Sequence, residues 1–285
     1  MKKEFFLVCF IAASFAFSIK KHDTPYQNPH HKWTYLFNGK DLHHWDTYLG
    51  PEYDSLSNQF TGTPLGLNND PHHVFSVINL DGEKVLAISG QDFGGIISKD
   101  NFKNFHLQMK FKWGTKTWAT KKGKKKDSGL LYYSVGKLGA DFGFWMRSQE
   151  FQIEQGNVGD YWGVAGGAET VATRKVNDST FIYDPQGTYR DFYEKSTFGR
   201  RCIKTSDNEK PDGQWNTIDL FCFNGKSIHM VNGKVLMVLG KSQQLDSGGK
   251  LISLDEGKIQ IQSEGAQIYY KDIRIEPIDY FPKGY

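Results

Sequence analysis

The sequence predicts an all-β fold, a sandwich or jelly roll of antiparallel strands, and three observations predict it. Apolar and polar residues alternate from Phe105 to Trp113, as in a strand with one buried face. The dipeptides Asp81-Gly82, Asn224-Gly225 and Asn232-Gly233 favour two-residue hairpins, because these residues tolerate positive φ. No stretch shows a sustained helical period. Short strands joined by hairpins are typical of antiparallel sheets rather than of a parallel α/β sheet.

The other predicted strands show the same short alternating or apolar pattern. In chain order they are Val74–Ile78, Val85–Ser89, Gly95–Ser98, Leu130–Val135, Ile218–Phe223, Val235–Leu239, Ile259–Gln262 and Tyr269–Ile275. Three segments break this pattern and are predicted to be long loops, where binding residues are often found. They are Asp46–His73, Lys116–Asp127 and Gly156–Gln214. We interpret the second, which is rich in lysine, as a solvated loop, and the aromatic-rich third as a lid or a site wall.

Length and composition indicate a globular protein with one core. The 285 residues include 35 Lys or Arg against 32 Asp or Glu, with 38% hydrophobic and 15% aromatic residues. Sandwiches often exceed about 200 residues as one unit, so we favour one domain over two small ones. A net charge of +3 with scattered lysines does not provide the continuous basic face that nucleic acid binding requires.

The N-terminus has the pattern of an export signal. Met1-Lys2-Lys3 is followed by an apolar run, Phe5–Phe17, which is too short for a membrane span, and Ala16 and Ser18 suit a cleavage site. We therefore expect a periplasmic or secreted protein with no membrane span after cleavage. The expected divisions are a signal peptide at 1–18, a flexible mature N-terminus at 19–32, a single domain at 33–278 and a C-terminal tail at 279–285.

Two cysteines, Cys202 and Cys222, follow the predicted signal. An oxidising compartment would allow them to pair, but two thiols in a chain with this much apolar surface are more typical of independent buried residues. The histidines at 30–31, 43–44 and 72–73 form three adjacent pairs. Adjacent residues point apart on a strand, so we predict no metal site from them.

The run from Trp145 to Gly156 carries the most chemistry. If it is a strand, Glu150, Gln152 and Glu154 share one face. Any half-exposed strand shows such alternation, so the neighbouring residues matter. Arg147 comes just before the three polar residues, and Trp162 follows after a turn. Indole platforms beside acids and a guanidinium suit a sugar, whose ring face stacks while its hydroxyls need hydrogen-bond partners.

The spacing Glu150-x-Gln152-x-Glu154 resembles the acidic strand of retaining glycosidases of the laminarinase-like jelly-roll class. Residues four apart on a regular strand lie about 13 Å apart at Cα, whereas retaining chemistry needs carboxyl groups about 5 to 5.5 Å apart. Gln152 also replaces an acid of that class, and an amide cannot share a proton with its neighbours. We therefore rank a classical glycosidase second.

Several motifs in a fixed order are similar to those of the 3-keto-disaccharide hydrolases, a family of concanavalin A-like jelly rolls. The similarity runs from about Trp33 to Pro277. Its motifs are Leu36-Phe37-Asn38-Gly39-Lys40-Asp41-Leu42, Trp45, Pro64-Leu65-Gly66-Leu67-Asn68, Asp70-Pro71, Gly94-Gly95-Ile96, Phe111-Lys112-Trp113-Gly114, Asp127-Ser128-Gly129-Leu130-Leu131-Tyr132, Trp145-Met146-Arg147-Ser148-Gln149-Glu150-Phe151-Gln152-Ile153, Trp215-Asn216-Thr217, His229, Val231-Asn232-Gly233 and Ile261-Gln262-Ser263-Glu264-Gly265-Ala266.

The resemblance implies a jelly-roll sandwich of two antiparallel sheets with long loops over the concave face. It also implies hydrolysis of glycosides whose sugar carries a ketone at C3. The ketone makes the C2 proton acidic, so a base removes it, the C1 substituent leaves and water adds back. A separate oxidoreductase would have to supply the ketone. No cofactor is required, and a structural Ca²⁺ is not predicted. The rival from another class is a non-catalytic carbohydrate-binding module.

On this hypothesis Glu150 is the base or acid and His229 is a second proton carrier. Arg147 and Gln152 position the substrate and stabilise the enolate. Further expected substrate contacts are Glu154, Asp160, Trp162, Tyr133 and Glu264. Tyr133 stands where several members of the family have a His, and a phenol with a pKa near ~10 would carry protons poorly.

Each of these residues also has a structural interpretation. His229 suits a hydrogen-bonded core histidine as well as a catalytic one. Glu154 could be a surface carboxylate or a partner of Arg147, while Asp160 and Glu264 could pair with loop backbone. We interpret Asp127 as a turn residue.

Overall fold

The computed structural model describes residues 32–284. The predicted signal peptide and nearly all of the predicted flexible N-terminus therefore lie outside the described residues. Over residues 32–284 no helix has both the length and the apolar character needed to cross a membrane.

The described chain is built almost wholly from strands, and its helical content is a single 3-10 turn at Ala119–Lys121. The strands are β1 (Thr34–Tyr35), β2 (Trp45–Leu49), β3 (Glu52–Asp54), β4 (Gln59–Thr61), β5 (Gly66–Leu67), β6 (Phe75–Leu80), β7 (Glu83–Ile88), β8 (Gly94–Ser98), β9 (Phe105–Thr117), β10 (Asp127–Val135), β11 (Arg147–Glu154), β12 (Tyr161–Val164), β13 (Gly167–Asn177), β14 (Thr180–Tyr183), β15 (Thr188–Phe192), β16 (Arg201–Cys202), β17 (Asn216–Phe223), β18 (Lys226–Val231), β19 (Lys234–Leu239), β20 (Gln243–Leu245), β21 (Leu251–Ser253), β22 (Lys258–Ser263) and β23 (Ala266–Pro277).

The strands form two large sheets, and the predicted all-β jelly-roll sandwich is confirmed. The thirteen-stranded sheet runs β21-β20-β13-β19-β18-β17-β9-β23-β7-β6, with β1 on β23 and both β14 and β15 on β13. The eight-stranded sheet runs β16-β12-β11-β10-β22-β8-β2-β5, and β3 and β4 form a separate hairpin. Neighbouring strands in both sheets pair antiparallel, as between β10 and β11 and between β9 and β17.

The main core lies between the two sheets. Strand β9 contributes the five apolar residues from Phe105 to Trp113 that the alternation predicted to be buried. The facing sheet contributes Leu130, Phe151 and Ile261. Because side chains alternate across a strand, the residues between these core positions in the eight-stranded sheet must point away from the core.

The three hairpin turns predicted from their dipeptides are present. Asp81-Gly82 joins β6 to β7, Asn224-Gly225 joins β17 to β18, and Asn232-Gly233 joins β18 to β19. All six residues have positive φ, between 49° and 87°. This is the backbone geometry that makes Asn-Gly and Asp-Gly favourable in tight turns.

The prediction of a long loop at Gly156–Gln214 is wrong. Five strands, β12 to β16, lie in this segment. Its aromatic residues Phe181, Tyr183 and Phe192 pack into a second core cluster with Val171 instead of forming a lid. The sequence missed these strands because the longer ones show no sustained alternation. β13 is buried at six of its first seven positions, and β15 is exposed at three of its five positions.

Both described cysteines are free and buried, as favoured from the sequence. Cys202 belongs to the second core cluster and Cys222 to the main core.

Candidate functional site

A row of side chains crosses the face of the eight-stranded sheet that points away from the core. Directly opposed residues on neighbouring strands place five side chains in this row: Gln260 (β22), Leu131 (β10), Glu150 (β11), Trp162 (β12) and Arg201 (β16). Opposed residues project from the same face of a sheet. We call this line the Glu150 row.

A glycine beside the Glu150 row lets two of its neighbours approach each other. Gly129 is opposite Gln152 in the pairing of β10 with β11. A Cβ atom at Gly129 would lie 2.3 Å from Oε1 of Glu150 and 2.3 Å from Oε1 of Gln262. Both side chains therefore lean over this residue, and any larger side chain here would displace them.

Four acidic residues gather around one lysine at the end of β10 and β11. Lys121 forms an ion pair with Asp127, and its Nζ lies 3.7 Å from Oε1 of Glu154. Gln152 Nε2 donates a hydrogen bond of 3.1 Å to Oδ1 of Asp127. Glu150 and Glu264 interact electrostatically with Asp127 and Lys121. We call Asp127, Glu150, Glu154 and Glu264 the carboxyl cluster.

Burial and mutual repulsion shift the proton affinities of the carboxyl cluster. Burial raises the pKa of Glu150 well above its usual value, and the nearby Asp127 raises it further. Glu264 is half-buried, and burial together with Asp127 and Glu150 also raises its pKa well above the usual value. Burial raises the pKa of Asp127 to about 7, despite the opposing effect of Lys121. Since buried like charges cannot all ionise, the cluster retains a proton at neutral pH.

Several buried polar atoms on this face have no protein partner among residues 32–284. They are Oε1 of Gln152, Oε1 of Gln262, Nε2 of Gln260 and Nε1 of Trp162. A buried polar group without a partner costs about 1 to 3 kcal/mol, so such groups in one place call for an explanation. Two acceptors and two donors on one sheet face are suited to the hydroxyl and carbonyl groups of a sugar.

Two arginines lie at one end of the Glu150 row, Arg201 as its last member and Arg200 as the preceding residue in the chain. The guanidinium carbons of Arg200 and Arg201 lie 5.3 Å and 5.5 Å from the centroid of the Trp162 ring. Arg200 pairs with Asp141 at 3.2 Å, and Arg201 pairs with Asp160 at 2.6 Å. Each guanidinium charge is thus compensated by a buried carboxylate, while the indole is held between the two cations.

The structure brings most of the predicted site residues together. Glu150, Gln152 and Trp162 lie side by side on one face, and Glu154 and Glu264 join them through the carboxyl cluster. Asp160 is fully buried, where it accepts hydrogen bonds from Arg201 and from the backbone N–H of Lys204. Asp160 therefore anchors Arg201 beside Trp162 and does not face the row itself.

Arg147 lies elsewhere. Its Nε donates to the carbonyl of Ala165 at 2.7 Å, and one terminal nitrogen donates to the carbonyl of Leu245 at 2.7 Å. Arg147 and Glu150 are three positions apart on β11, so the strand alternation turns them to opposite faces. The expected role of Arg147 in holding the enolate is therefore not supported by its position, and its observed contacts join β11 to the β12–β13 turn and to β20.

His229 also lies away from Glu150. It is 0% exposed, between the two sheets. Its ring stacks on Phe151 at 4.3 Å, and its nitrogens contact the carbonyl of Gly159 and the hydroxyl of Tyr132, both at 3.2 Å. Burial lowers its pKa to about 3. His229 thus does not lie beside Glu150 as a second proton carrier would, and its contacts are those of a neutral core histidine.

Tyr133 is buried in the main core. It has a φ of 54°, and the pairing of β10 with β11 is irregular between Tyr132 and Val135. This β-bulge places two consecutive tyrosines on the core side. Tyr133 packs edge-on against Phe105, and burial raises the pKa of its phenol. Tyr133 therefore faces the core and not the Glu150 row.

The sequence reasoning missed several residues of the site. Asp127, interpreted as a turn residue, is a buried member of the carboxyl cluster, and Lys121, assigned to a solvated loop, neutralises it. Gln260, Gln262 and Arg200 were not singled out at all. One signal was available for Asp127: aligning the predicted strand at 130–135 antiparallel to the one at 147–154 would bring it opposite Glu154.

Within residues 32–284 a single group of His, Cys, Asp or Glu side chains has the spacing to hold a metal ion, namely Glu52, His72 and Asp92. Their ligand atoms all lie within 4.8 Å of one another. His72 Nδ1 contacts Asp92 at 2.8 Å, and this hydrogen bond raises the pKa of the imidazole. The other ring nitrogen points to Glu52 at 3.9 Å. Because both nitrogens already face carboxylates, an ion pair accounts for the arrangement, and no metal is assigned.

The pairing of β11 bears on the classical glycosidase alternative. Its register with β10 is continuous from Asp127–Glu154 to Tyr132–Gln149. No bulge separates Glu150 from Glu154, so their Cα atoms keep the regular spacing of about 13 Å for residues four apart. This spacing does not suit a retaining pair, which needs carboxyl groups about 5 to 5.5 Å apart.

The family model described as a 3-keto-alpha-glucoside-1,2-lyase-like domain matches residues 32–276. A candidate glycosyl hydrolase from Parabacteroides distasonis is 19% identical, with 87% of this chain and 100% of that chain covered and a TM-score of 0.48. LamAcat from Zobellia galactanivorans is 10% identical, covering 82% and 91%, with a TM-score of 0.42. The carbohydrate binding module CBM66 from Bacillus subtilis is 7% identical, covering 71% and 91%, with a TM-score of 0.39. No curated protein matches the sequence.

Proposed function

The chain belongs to the family of 3-keto-alpha-glucoside-1,2-lyase-like domains, and from this premise we propose that it cleaves the glycosidic bond of 3-keto-glycosides, including 3-keto-disaccharides. Membership gives the chain a carbohydrate-active role of the hydrolase type. In the proposed reaction, a base takes the proton from C2, the C1–O bond breaks and the leaving oxygen takes up a proton. Water then adds across the resulting C1=C2 bond and gives the free 3-keto sugar.

The carboxyl cluster is the observation that carries this proposal. Elimination needs one carboxylate to accept a proton and one carboxylic acid to donate one. A cluster that stays partly protonated near neutral pH offers both states at once. We assign the base to Glu150, which the Glu150 row fixes within the sheet. We assign the acid to Glu264, which is half-buried and has a raised pKa.

The polar atoms without protein partners supply the remaining requirement. The enolate oxygen that develops at C3 needs donors that are already in place. Trp162 Nε1 is a buried donor directly opposite Glu150 in the row. Gln152 Oε1 is a buried acceptor whose amide is held by Asp127, so it suits a sugar hydroxyl. A binding module would need these groups too, but it would not need acids with raised pKa values.

The experiment that tests the proposal compares a 3-keto-glucoside with its parent glucoside in D₂O. We expect release of the leaving group from the 3-keto compound only, with deuterium from solvent at C2 of the hydrated product. Release from the parent glucoside would support a classical glycosidase instead. Binding of either compound without release would support a carbohydrate-binding module and would contradict the proposal.

We also propose the setting in which such a reaction would run. The 3-keto substrate requires an oxidoreductase that converts the C3 hydroxyl to a ketone and passes the electrons to its own acceptor. The N-terminal pattern of the sequence supports an exported protein, periplasmic or secreted, that meets its substrate outside the cytoplasm. No cofactor is required in this scheme, because the substrate carbonyl itself makes the C2 proton acidic.

Lys121 should determine the pH above which the enzyme becomes active. Its charge favours ionisation of Asp127, whose pKa is about 7, so the variant Lys121→Met should raise the proton affinity of the whole carboxyl cluster. The rising limb of kcat/KM against pH reports ionisation of the base, Glu150, which the charge of Lys121 also favours. We expect this limb to move upward by about 1 to 3 pH units in the variant. Steady-state kinetics between pH 5 and about 9 would measure this.

The thermal stability of the same variant gives a second test, which does not require enzyme activity. The folded pKa of Asp127 lies above its ordinary value of 3.8, so ionising this group costs stability as the pH rises from 3.8 toward 7. Lys121→Met should therefore lose more thermal stability at high pH than at low pH. An unmoved kinetic limb together with a pH-independent stability loss would contradict the assigned role of Lys121.

A further inference from the structure

A cleft of about 220 Å³ opens beside Trp162, at the edge of the eight-stranded sheet. Its walls include Trp162, Thr180, Phe181, Phe198, Arg200 and Arg201. We infer that this cleft is the subsite for the leaving group of the substrate and that it holds a single neutral sugar ring. The inference rests on the proposed function and names the part of the substrate that lies beyond the oxidised sugar.

The position of the cleft follows from the Glu150 row. Trp162 is directly opposite Glu150 in the pairing of β11 with β12, and it also forms one wall of the cleft. A sugar that places C2 at Glu150 and its ring near Trp162 can therefore extend its C1 substituent toward the cleft. The reacting centre and the cleft therefore both border the indole of Trp162.

The opposite direction along the row is closed. Leu131, on the other side of Glu150, belongs to an apolar cluster. Phe60, from the separate β3–β4 hairpin, packs at 4.7 Å from Phe93 and at 4.8 Å from Phe144. These rings occupy the space above the sheet beside Leu131. Along the row, a substrate with more than one sugar must thus extend past Trp162.

The chemistry of the walls favours a neutral sugar over an anion. Trp162, Phe181 and Phe198 offer apolar surfaces of the kind that stack on sugar rings. Both guanidinium groups are already paired, Arg200 with Asp141 and Arg201 with Asp160. They contribute N–H donors to the cleft without contributing net charge. The volume also limits the occupant, because pockets for drug-sized ligands span about 300 to 1,000 Å³.

Two substrates separate this inference from the proposed function. One is a 3-keto-glucosyl glucose, and the other is methyl 3-keto-glucoside of the same anomeric configuration, which has no ring to place in the cleft. Contacts between the enzyme and a remote part of the substrate can lower the barrier of the chemical step. We therefore expect the wild type to have a higher kcat/KM for the disaccharide than for the methyl glycoside.

The variant Thr180→Trp fills the cleft and leaves Glu150 and the rest of the carboxyl cluster unchanged. We expect kcat/KM for the disaccharide to fall at least about tenfold, while the value for the methyl glycoside stays within about twofold. Thr188→Trp, which adds the same side chain at an exposed position of β15, is the matched control and should change neither value. Phe198→Ala removes one wall of the cleft and should lower kcat/KM for the disaccharide alone. This variant tests the subsite if Thr180→Trp does not fold.

The outcomes are distinct. Equal losses for both substrates, or no loss for either, would overturn the leaving-group subsite and leave the proposed function standing. Failure of the wild type to cleave either substrate would overturn the proposed function and this inference together.

Discussion

Substitution Glu150→Gln should lower kcat for a 3-keto-glucoside by about 10² to 10⁴-fold, the usual contribution of a general acid or base. The amide keeps the shape of the side chain but cannot take the C2 proton. Folding should survive, because Glu150 is buried, at 6% exposed, and burial raises the pKa of its carboxyl group well above the usual value. Gln carries no charge, so the substitution leaves no buried charge without a partner. Single-turnover kinetics and thermal unfolding would measure the two effects.

The matched control for this variant is Glu83→Gln. Glu83 lies on the thirteen-stranded sheet, where its exposed carboxylate pairs with Lys271. The chemical change is the same, and the position is outside the site, so we expect wild-type kcat. Near-normal turnover in Glu150→Gln would remove Glu150 from the mechanism and with it the assignment of the base.

Substitution Gly129→Ala should cause a comparable loss of activity through a single methyl group. The new Cβ would lie 2.3 Å from the side-chain oxygens of both Glu150 and Gln262, so both side chains must move. A misplacement of about 1 Å at a reacting centre can cost about 10²-fold in rate. Overpacking at a buried position also costs about 1 to 3 kcal/mol of stability. Steady-state kinetics and urea unfolding would measure both.

Gly248→Ala is the control for Gly129→Ala. Gly248 lies in the turn before β21, and its added Cβ would meet only Oδ1 of Asp246, at 3.3 Å. Neither glycine has a positive φ, so both substitutions test crowding and not backbone strain. If Gly129→Ala keeps full activity, the contact of Glu150 with Gln262 over this residue has no part in the reaction.

The sequence could predict the fold because its signals are local. The alternation in β9 shows which side chains are buried, and dipeptides such as Asn224-Gly225 mark hairpins wherever they occur. The region at 156–214 was missed because strands covered on both faces, such as β13, lose that alternation.

The site was predictable only in part. The alternation of polar and apolar residues predicted the polar face of β11, and with it Glu150 and Gln152. The residues beside that face come from β10, β12 and β22. The sequence of a single strand does not show which other strands it pairs with. Periodicity also cannot tell which sheet a residue belongs to, so His229 could not be separated from Glu150. The bulge at Tyr133 turns the side chain of this residue to the core side of the sheet, and no local sequence signal marks the bulge.

The two described cysteines have a consequence for production of the protein. Cys202 and Cys222 are buried on β16 and β17, which belong to different sheets, and each keeps its thiol. No covalent crosslink between them has to form for the described part of the chain to fold. A reducing bacterial cytosol should therefore yield the same folded domain as an oxidising compartment, and reductant in the buffer should leave its melting temperature unchanged.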